Sequence, residues 1–267
     1  MQAVKQWIKG NAARKRFALW VMRTGAPWLP PRTLRALGGY ARYFSDLAHF
    51  KRAGGHPYLL DWYPCLYDRL PATGFDAQYL YQAAWAARKI HEVRPAKHVD
   101  VGSELGFVAQ LAAFTEIEFI DIRPPAIQLA GFSVRKGSIT ALPYADASVA
   151  SLSSMHVIEH IGLGRYGDDI DANGPRRACA EIARVLSTGG RAYVSVPIGE
   201  PKVSFNSHFT FGAAEFATLF SGCTVEGFAY VDTDGTFHET ADYRTVIVKN
   251  EGASMDFGLG MYVLKKG

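Results

Sequence analysis

The segment His156–His160, which reads HVIEH, brings together side chains that could carry acid–base or metal chemistry. It matches the HxxEH pattern of a class of zinc peptidases, in which both histidines lie on one helical face and bind the metal. Gly162 and Gly164 follow at once and would end such a helix, and the run before His156 is an apolar strand. We therefore expect no zinc site here, and we treat these side chains as candidates for proton transfer.

A glycine-containing turn follows an apolar strand at Asp100–Gly106, DVGSELG. In open α/β sheets, ligands bind beyond the carboxyl ends of the strands, where such a turn lets the backbone come close. Asp121 lies 19 residues after Gly102, about where an acid can bind both hydroxyls of a ribose. Taken alone, this pair is explained equally well by a tight strand-to-helix turn without a ligand.

Helical and strand patterns alternate along residues 76–267. Strands are predicted at His98–Gly102, Glu118–Ile122, Phe132–Ile139, Val149–Met155, Arg191–Pro197, Thr224–Val231 and Met261–Lys265, and helices at Asp76–His91, Leu105–Phe114, Pro175–Leu186 and Gly212–Phe220. Repeated units of this length predict an α/β fold with a doubly wound, mostly parallel, seven-stranded sheet. We expect a basic, aromatic helical extension and connector over residues 1–75 and the α/β domain over residues 76–267.

Four segments of this domain, in this order, resemble class I S-adenosylmethionine-dependent methyltransferases: HVDVGSELG, EFIDIRP, GSITALPYADASVASLSSMHVIEHIG and EIARVLSTGGRAYVSVP. More narrowly, Tyr79–Ile90, HVDVGS, HVIEHIGLGRYGD and the FNSH run are similar to an uncharacterised methyltransferase-like family associated with bacterial surface-polysaccharide synthesis. The resemblance implies a Rossmann-like methyltransferase sheet, S-adenosyl-L-methionine as the cofactor, and a saccharide or glycan precursor as the acceptor.

The same resemblance implies that the glycine loop holds the methionine end of the cofactor and that Asp121 binds its ribose. The cofactor residues expected on this basis are Asp100, Gly102, Ser103, Gly106, Asp121, Ile122, Ser138, Ile139 and His156. Two positions depart from the family pattern, since Glu104 replaces a glycine and Ser138 replaces an acid that often holds adenine. Glu104 either points inward and weakens binding, or caps the next helix and leaves binding intact.

Methyl transfer to a hydroxyl needs an aligned acceptor and usually a base for the hydroxyl proton. We predict His160 as this base because histidine titrates near neutral pH, with His208 as the second candidate and Glu159 beside them. An equal alternative is that His160 only orients a loop through hydrogen bonds. Contacts to the acceptor are expected from Arg165, Tyr166, Asp168 and Asn206.

Asp168, Asp169 and Asp171 form an acidic cluster with two interpretations. They could bind Mg²⁺ together with water, or form a solvated turn that caps the helix beginning near Pro175. The second interpretation is favoured, and we predict no metal.

Residues 1–52 contain 11 Lys and Arg against Asp46 alone, whereas the remaining residues contain 18 against 24 acids. A helix over Val4–Arg23 and another over Thr33–Lys51 are predicted. The first could pack on its own domain, lie on an anionic membrane, or bind a polyanion. Without an apolar run of about 18 residues or a signal-peptide pattern, we expect a cytoplasmic protein. Packing of the basic helix on its own domain is favoured, and peripheral contact at the inner membrane surface through residues 1–52 is the alternative. A nucleic-acid partner is not expected, because the rest of the chain is net negative.

The main alternative function is a methyltransferase-like scaffold without catalysis, docked to a membrane-associated polysaccharide assembly by the basic N-terminal residues. A dinucleotide-dependent oxidoreductase is a weaker alternative, because the segments at the fourth and fifth strands fit it poorly.

Overall fold

The computed structural model describes residues 31–69, 72–239, 242–246, 248 and 257–267. The predicted helix Val4–Arg23 lies outside them. The chain divides into two compact units, residues 1–75 and 76–267. None of the helices in the described ranges is both long and apolar enough to cross a membrane.

In the first unit, the main element is helix α1, Pro31–Arg52, which covers the helix predicted over Thr33–Lys51. The connector contains a single-turn 3-10 helix, Leu59–Asp61. It packs on α1, because the Arg42 guanidinium donates to the Leu66 carbonyl at 3.0 Å. Several aromatic side chains of this unit stay exposed, namely Tyr40, Phe44, Phe50, Tyr58 and Tyr63.

The second unit contains ten strands in its described part: β1 Lys97–Val101, β2 Glu116–Asp121, β3 Phe132–Lys136, β4 Val149–Met155, β5 Leu186–Ile198, β6 Lys202–Ser204, β7 His208–Thr210, β8 Cys223–Val231, β9 Phe237–Glu239 and β10 Gly258–Lys266. Eight of them form one sheet in the order β3-β2-β1-β4-β5-β10-β8-β9, while β6 and β7 form a separate hairpin. The strands β1 to β5 run parallel, and β10 is antiparallel to both of its neighbours. The predicted mostly parallel sheet is confirmed. It has eight strands in the described residues instead of the predicted seven, because β9 pairs with the edge of β8.

Four helices flank this sheet in the described chain: α2 Ala77–Val93, α3 Leu105–Leu111, α4 Gly174–Val185 and α5 Ala213–Ala217. Helix α2 begins at Asp76, whose carboxylate accepts hydrogen bonds from the amides of Gln78 and Tyr79 at 2.9 and 3.1 Å. It ends at Arg94, which adopts the left-handed conformation with φ 51°.

Apolar side chains are buried on both faces of the sheet. One core gathers Trp85, Ile90, Phe107 and Leu111 of α2 and α3 with Phe119 of β2. The other core packs α4 and α5 against the opposite face, through Ala178, Ile182, Phe216, Val194 and Tyr262. Covering both faces leaves the ends of the parallel strands as the place where polar side chains can meet.

Candidate active site

A cavity of about 460 Å³ lies at the carboxyl ends of β1, β2 and β4. Adjacent strands place their last residues side by side there, since β1 pairs with β2 on one side and with β4 on the other. The predicted site residues that line the cavity are Gly102, Asp121, Ile122, Ser138, Ile139, His156, His160, Tyr166 and Asp168. The volume is in the range of small-molecule pockets, roughly 300–1,000 Å³.

Asp100 and Ser103 were expected to bind the cofactor, but both are buried and neither lines the cavity. Asp100 accepts hydrogen bonds from the amide and hydroxyl of Ser103, at 3.0 and 2.7 Å, and a third from the hydroxyl of Ser153 on β4. The Ser103 hydroxyl accepts in turn from the amide of Met155 at 2.9 Å. These two residues therefore fix the glycine loop to β4. Burial raises the pKa of the Asp100 carboxyl to about 7.

Glu104 caps helix α3, which decides between the two alternatives left open by the sequence. Its carboxylate accepts from the amides of Gly106 and Phe107 at 2.8 and 2.9 Å, within the first turn of the helix. The amide of Gly106 is used in this cap. Gly106 does not line the cavity, although it was expected to bind the cofactor. Although Glu104 stands where the resembled family has a glycine, its side chain therefore does not line the cavity.

Gly102 and Asp121 frame the floor of the cavity. Gly102 has φ +72°, and a Cβ added there would lie 3.2 Å from Val157 Cγ1 and 3.9 Å from Asp121 Oδ2. The other carboxylate oxygen, Oδ1, accepts from the amide of Arg123 at 2.6 Å. The absence of a side chain at residue 102 thus leaves room for a ligand beside one oxygen of Asp121.

The side of the cavity next to β3 combines apolar and hydroxyl groups. Ile139 is buried, and Ser138 exchanges a hydrogen bond with the Thr140 hydroxyl at 2.9 Å. Both predicted residues line the cavity together with Ile122. Such a wall suits a flat aromatic ring with polar edges.

His156 and Glu159 form a tightly coupled pair at the end of β4. His156 adopts φ +57°, an uncommon conformation for a residue with a side chain. Its Nδ1 lies 2.6 Å from Oε1 of Glu159, whose side chain is fully buried. Within the described chain, the second oxygen of Glu159 and Nε2 of His156 have no hydrogen-bond partner although both are buried. Glu159 itself does not line the cavity.

His160 has its ring oriented by the β6–β7 hairpin. Its Nδ1 is 2.6 Å from the carbonyl oxygen of Ser207, and because a carbonyl only accepts, Nδ1 carries the proton. Nε2 of the neutral ring is then an acceptor, and it lies 3.7 Å from Oε1 of Glu159. The ring also contacts Tyr166 edge to face, with centroids 5.6 Å apart.

The loop of residues 162–171 is held together by Asp168. Its carboxylate accepts from the amides of Gly162, Gly164 and Tyr166 at 2.8, 3.4 and 3.2 Å. Burial acts to raise the pKa of Asp168, but these amides outweigh it and lower that pKa. Asp171 pairs with Arg177 at 2.6 Å, and no group of three or more His, Cys, Asp or Glu in the described ranges is arranged to hold a metal ion.

Three further predicted residues, His208, Asn206 and Arg165, are not among those that line the cavity. His208 packs its ring against Phe257 with centroids 4.6 Å apart, and Asn206 donates to the Leu163 carbonyl at 3.4 Å. His208 belongs to β7 and Asn206 to the turn between β6 and β7. Their side chains are used in these contacts, which corrects the expectation that both act at the cavity.

Tyr79 and Arg123 were missed by the sequence analysis as site residues. Tyr79, on α2, stacks on His156 with ring centroids 5.0 Å apart. Burial and the nearby Glu159 raise the pKa of its hydroxyl. Arg123 lines the cavity, with its guanidinium carbon 4.7 Å from the Tyr166 ring centre. Both contacts join residues that are far apart in the chain, so no local motif predicts them.

Comparisons with known proteins give a family match over part of the chain and a shared fold. A family model described as a Caenorhabditis protein of unknown function, DUF268, matches residues 142–255. Curated protein sequences give no match to this chain.

Two solved structures share the fold at low identity. One is a protein from Galdieria sulphuraria provisionally assigned as a sarcosine dimethylglycine methyltransferase, with 16% identity, a TM-score of 0.51, and coverage of 70% of this chain and 85% of that one. The other is the 4+2 cyclase SpnF, with 15% identity, a TM-score of 0.50, and coverage of 85% and 94%. The second unit therefore has the Rossmann-like fold of the class I methyltransferases, as predicted.

Proposed function

We propose that this protein is an S-adenosyl-L-methionine-dependent methyltransferase that acts on a hydroxyl of a saccharide or glycan precursor. The observation that carries the proposal is the convergence of Gly102, Asp121 and His156 on one cavity at the strand ends of a methyltransferase-like sheet. The saccharide part is supported by the narrower sequence resemblance.

The lining residues suit the parts of this cofactor. Asp121 has one oxygen directed toward the space above Gly102, where a ribose diol could bind, and Ile122, Ser138 and Ile139 suit an adenine. The cofactor supplies an electrophilic methyl group on a positively charged sulfur. The chain's own contribution is to hold and orient both reactants in a small, partly closed cavity.

His160 is proposed as the base that takes the acceptor's proton. The hydrogen bond from its Nδ1 to Ser207 leaves Nε2 as the acceptor, and the buried Glu159 carboxylate nearby would stabilise the ring once it is protonated. Tyr166 and Asp168, which line the cavity, and Arg165 beside Tyr166 remain proposed acceptor contacts, whereas Asn206 does not, because its amide is used on the Leu163 carbonyl. His208 is the weaker candidate base, because it packs away from the cavity lining.

Peripheral membrane contact is proposed for residues 1–52. It is supported by the charge of these residues and by the exposed aromatic side chains of α1. The same features support the alternative of a scaffold without catalysis, which differs from the enzyme in predicting no affinity for the cofactor.

Calorimetric titration with S-adenosylhomocysteine tests the cofactor proposal without knowledge of the acceptor. We expect binding by the full chain and an affinity weakened roughly 5- to 150-fold in Asp121→Ala, equal to about 1–3 kcal/mol for the lost hydrogen bonds.

Asp242→Ala is the matched control for this titration. Asp242 accepts from the amide of Arg244 at 3.0 Å, just as Asp121 accepts from that of Arg123, but it does not line the cavity. Its affinity should equal that of the wild type. No heat with the wild-type chain, together with an unchanged melting temperature, would favour the scaffold.

A further inference from the structure

Tyr166 lines the cavity and is flanked by two arginines, of which Arg123 also lines the cavity and Arg165 lies just outside its lining. The guanidinium carbon of Arg123 lies 4.7 Å from its ring centre, and that of Arg165 lies 5.1 Å from it. Arg123 comes from the end of β2 and Arg165 from the loop after β4, so two separate segments bring positive charge to one aromatic ring. An aromatic ring holds guanidinium groups by cation–π attraction but does not neutralise them.

Neither arginine has a carboxylate partner within 4.0 Å in the described part of the chain. Five other arginines of the second unit have such partners, namely Arg88, Arg135, Arg177, Arg184 and Arg191, whereas Arg94, Arg176 and Arg244 have none among the described residues. Arg123 and Arg165 differ from these last three in flanking a ring that lines the cavity. Among the described residues, Arg165 Nη1 donates one long hydrogen bond, at 3.4 Å to the Ser207 carbonyl, and it lies 3.5 Å from Nδ1 of His160, which carries a proton and cannot accept. Both guanidinium groups thus keep donors for a ligand.

The acids that line the same cavity do not satisfy these arginines. Asp168 is used by three backbone amides, and Asp171 is paired with Arg177. Asp121 accepts from the amide of Arg123 and not from its guanidinium. Asp169 is exposed. The planar fork of a guanidinium matches the oxygens of a phosphate or carboxylate.

We propose that the acceptor carries a phosphate or carboxylate group, and that Arg123 and Arg165 bind this group beside Tyr166. This inference rests on the proposed function, because it names the class of acceptor used at that site: a sugar phosphate or a sugar acid. Arg165 contacts the ring of His160, so the bound anion would fix a neighbouring hydroxyl close to the proposed base.

The test is calorimetric titration of the full chain, saturated with S-adenosylhomocysteine, with sodium pyrophosphate and separately with citrate. Pyrophosphate represents phosphate-bearing acceptors and citrate represents carboxylates. We expect one of them to bind, with an affinity reduced roughly 5- to 20-fold in Arg123→Gln and in Arg165→Gln. Far-UV circular dichroism and the retained affinity for S-adenosylhomocysteine show that the variants are folded.

Arg244→Gln is the matched control, because Arg244 lies 5.0 Å over the ring of Tyr243, which does not line the cavity, whereas Arg165 lies over Tyr166, which does. Its affinity for the anion should stay within twofold of the wild type. An anion affinity unchanged in both Arg123→Gln and Arg165→Gln, or no binding of either anion, would overturn the proposal.

Failure of the cofactor proposal is recognised separately, from the wild-type titration with S-adenosylhomocysteine alone. If that titration gives no heat, the anion titrations are repeated without it and judged by the same dependence on Arg123 and Arg165. A site that still depends on both arginines supports anion binding even then.

Discussion

Two buried polar clusters, one between β1 and β4 and one just after β4, are built in opposite ways. Below the glycine loop, His98 is fully buried between Ser151 and Ser153, with its ring nitrogens 2.7 and 2.8 Å from their hydroxyls. Ser153 donates onward to Asp100, which also accepts from Ser103. Every polar side chain in this cluster therefore has a hydrogen-bond partner.

The second cluster, His156 and Glu159, leaves two buried polar atoms without partners in the described protein and holds His156 at φ +57°. Unsatisfied buried groups and left-handed side-chain residues cost free energy, and they persist where function requires them. The first cluster therefore serves the fold, and the second is the one expected to respond to ligands.

The largest expected effect concerns the satisfied cluster. Asp100→Ala should lower the free energy of unfolding by about 3 kcal/mol, because three buried donors lose their acceptor. Urea denaturation measures it. Asp146→Ala, which removes an exposed partner of Arg184, is the control and should cost less than about 1 kcal/mol. A similar small loss for Asp100→Ala would mean that its hydrogen bonds contribute little.

Glu159→Gln should give the opposite result. The amide can still accept from Nδ1 of His156, and it removes a buried charge, so the free energy of unfolding should stay within about 1 kcal/mol of the wild-type value. Methyl transfer to an anionic saccharide should fall at least about tenfold, because the charge that supports a protonated His160 is lost. If this variant is as unstable as Asp100→Ala, the second cluster is structural as well.

The pH dependence of stability gives the most specific effect. Burial lowers the pKa of His98 from 6.5 to about 3, so the unfolded chain binds more protons there between these values and stability rises with pH. Burial raises the pKa of Asp100 from 3.8 to about 7, so that group makes stability fall as pH rises. The two slopes oppose each other between about pH 4 and 6.5.

His98→Gln removes only the contribution of His98, by which stability rises with pH. Relative to the wild type, its free energy of unfolding should decline with rising pH by up to about 1.4 kcal/mol per unit. Urea denaturation at pH 4.5, 5.5 and 6.5 would show this. Parallel curves for the two proteins would contradict the burial of a neutral histidine.

The parts of the fold set by local pattern were predictable. The apolar run Val149–Met155 forms β4 with the predicted bounds, and the alanine-rich run after Asp76 forms α2. Gly102, Asp121 and His156 meet at the cavity because strand ends in a parallel sheet share one edge. These outcomes depend on periodicity and sheet topology alone.

What the sequence could not predict depends on contacts between distant segments. The FNSH run carries no strand alternation, so the hairpin that orients His160 and turns His208 away was not expected. Tyr79 and Arg123 reach the site from α2 and from the end of β2. The hydrogen bond from Ser153 on β4 to the buried Asp100 likewise joins two distant segments, and the motif around Asp100 does not predict it.

The cap formed by Glu104 has a consequence for which nucleotides the glycine loop can accept. Proteins that bind dinucleotides place a pyrophosphate on the free amides and positive end of the helix that follows such a loop. Here a carboxylate already takes the amides of Gly106 and Phe107, so a phosphate would meet negative charge and no free donor from either residue. We therefore expect the loop to discriminate against NAD-like ligands, whereas the proposed cofactor, whose adenosine bears no phosphate, does not need these amides.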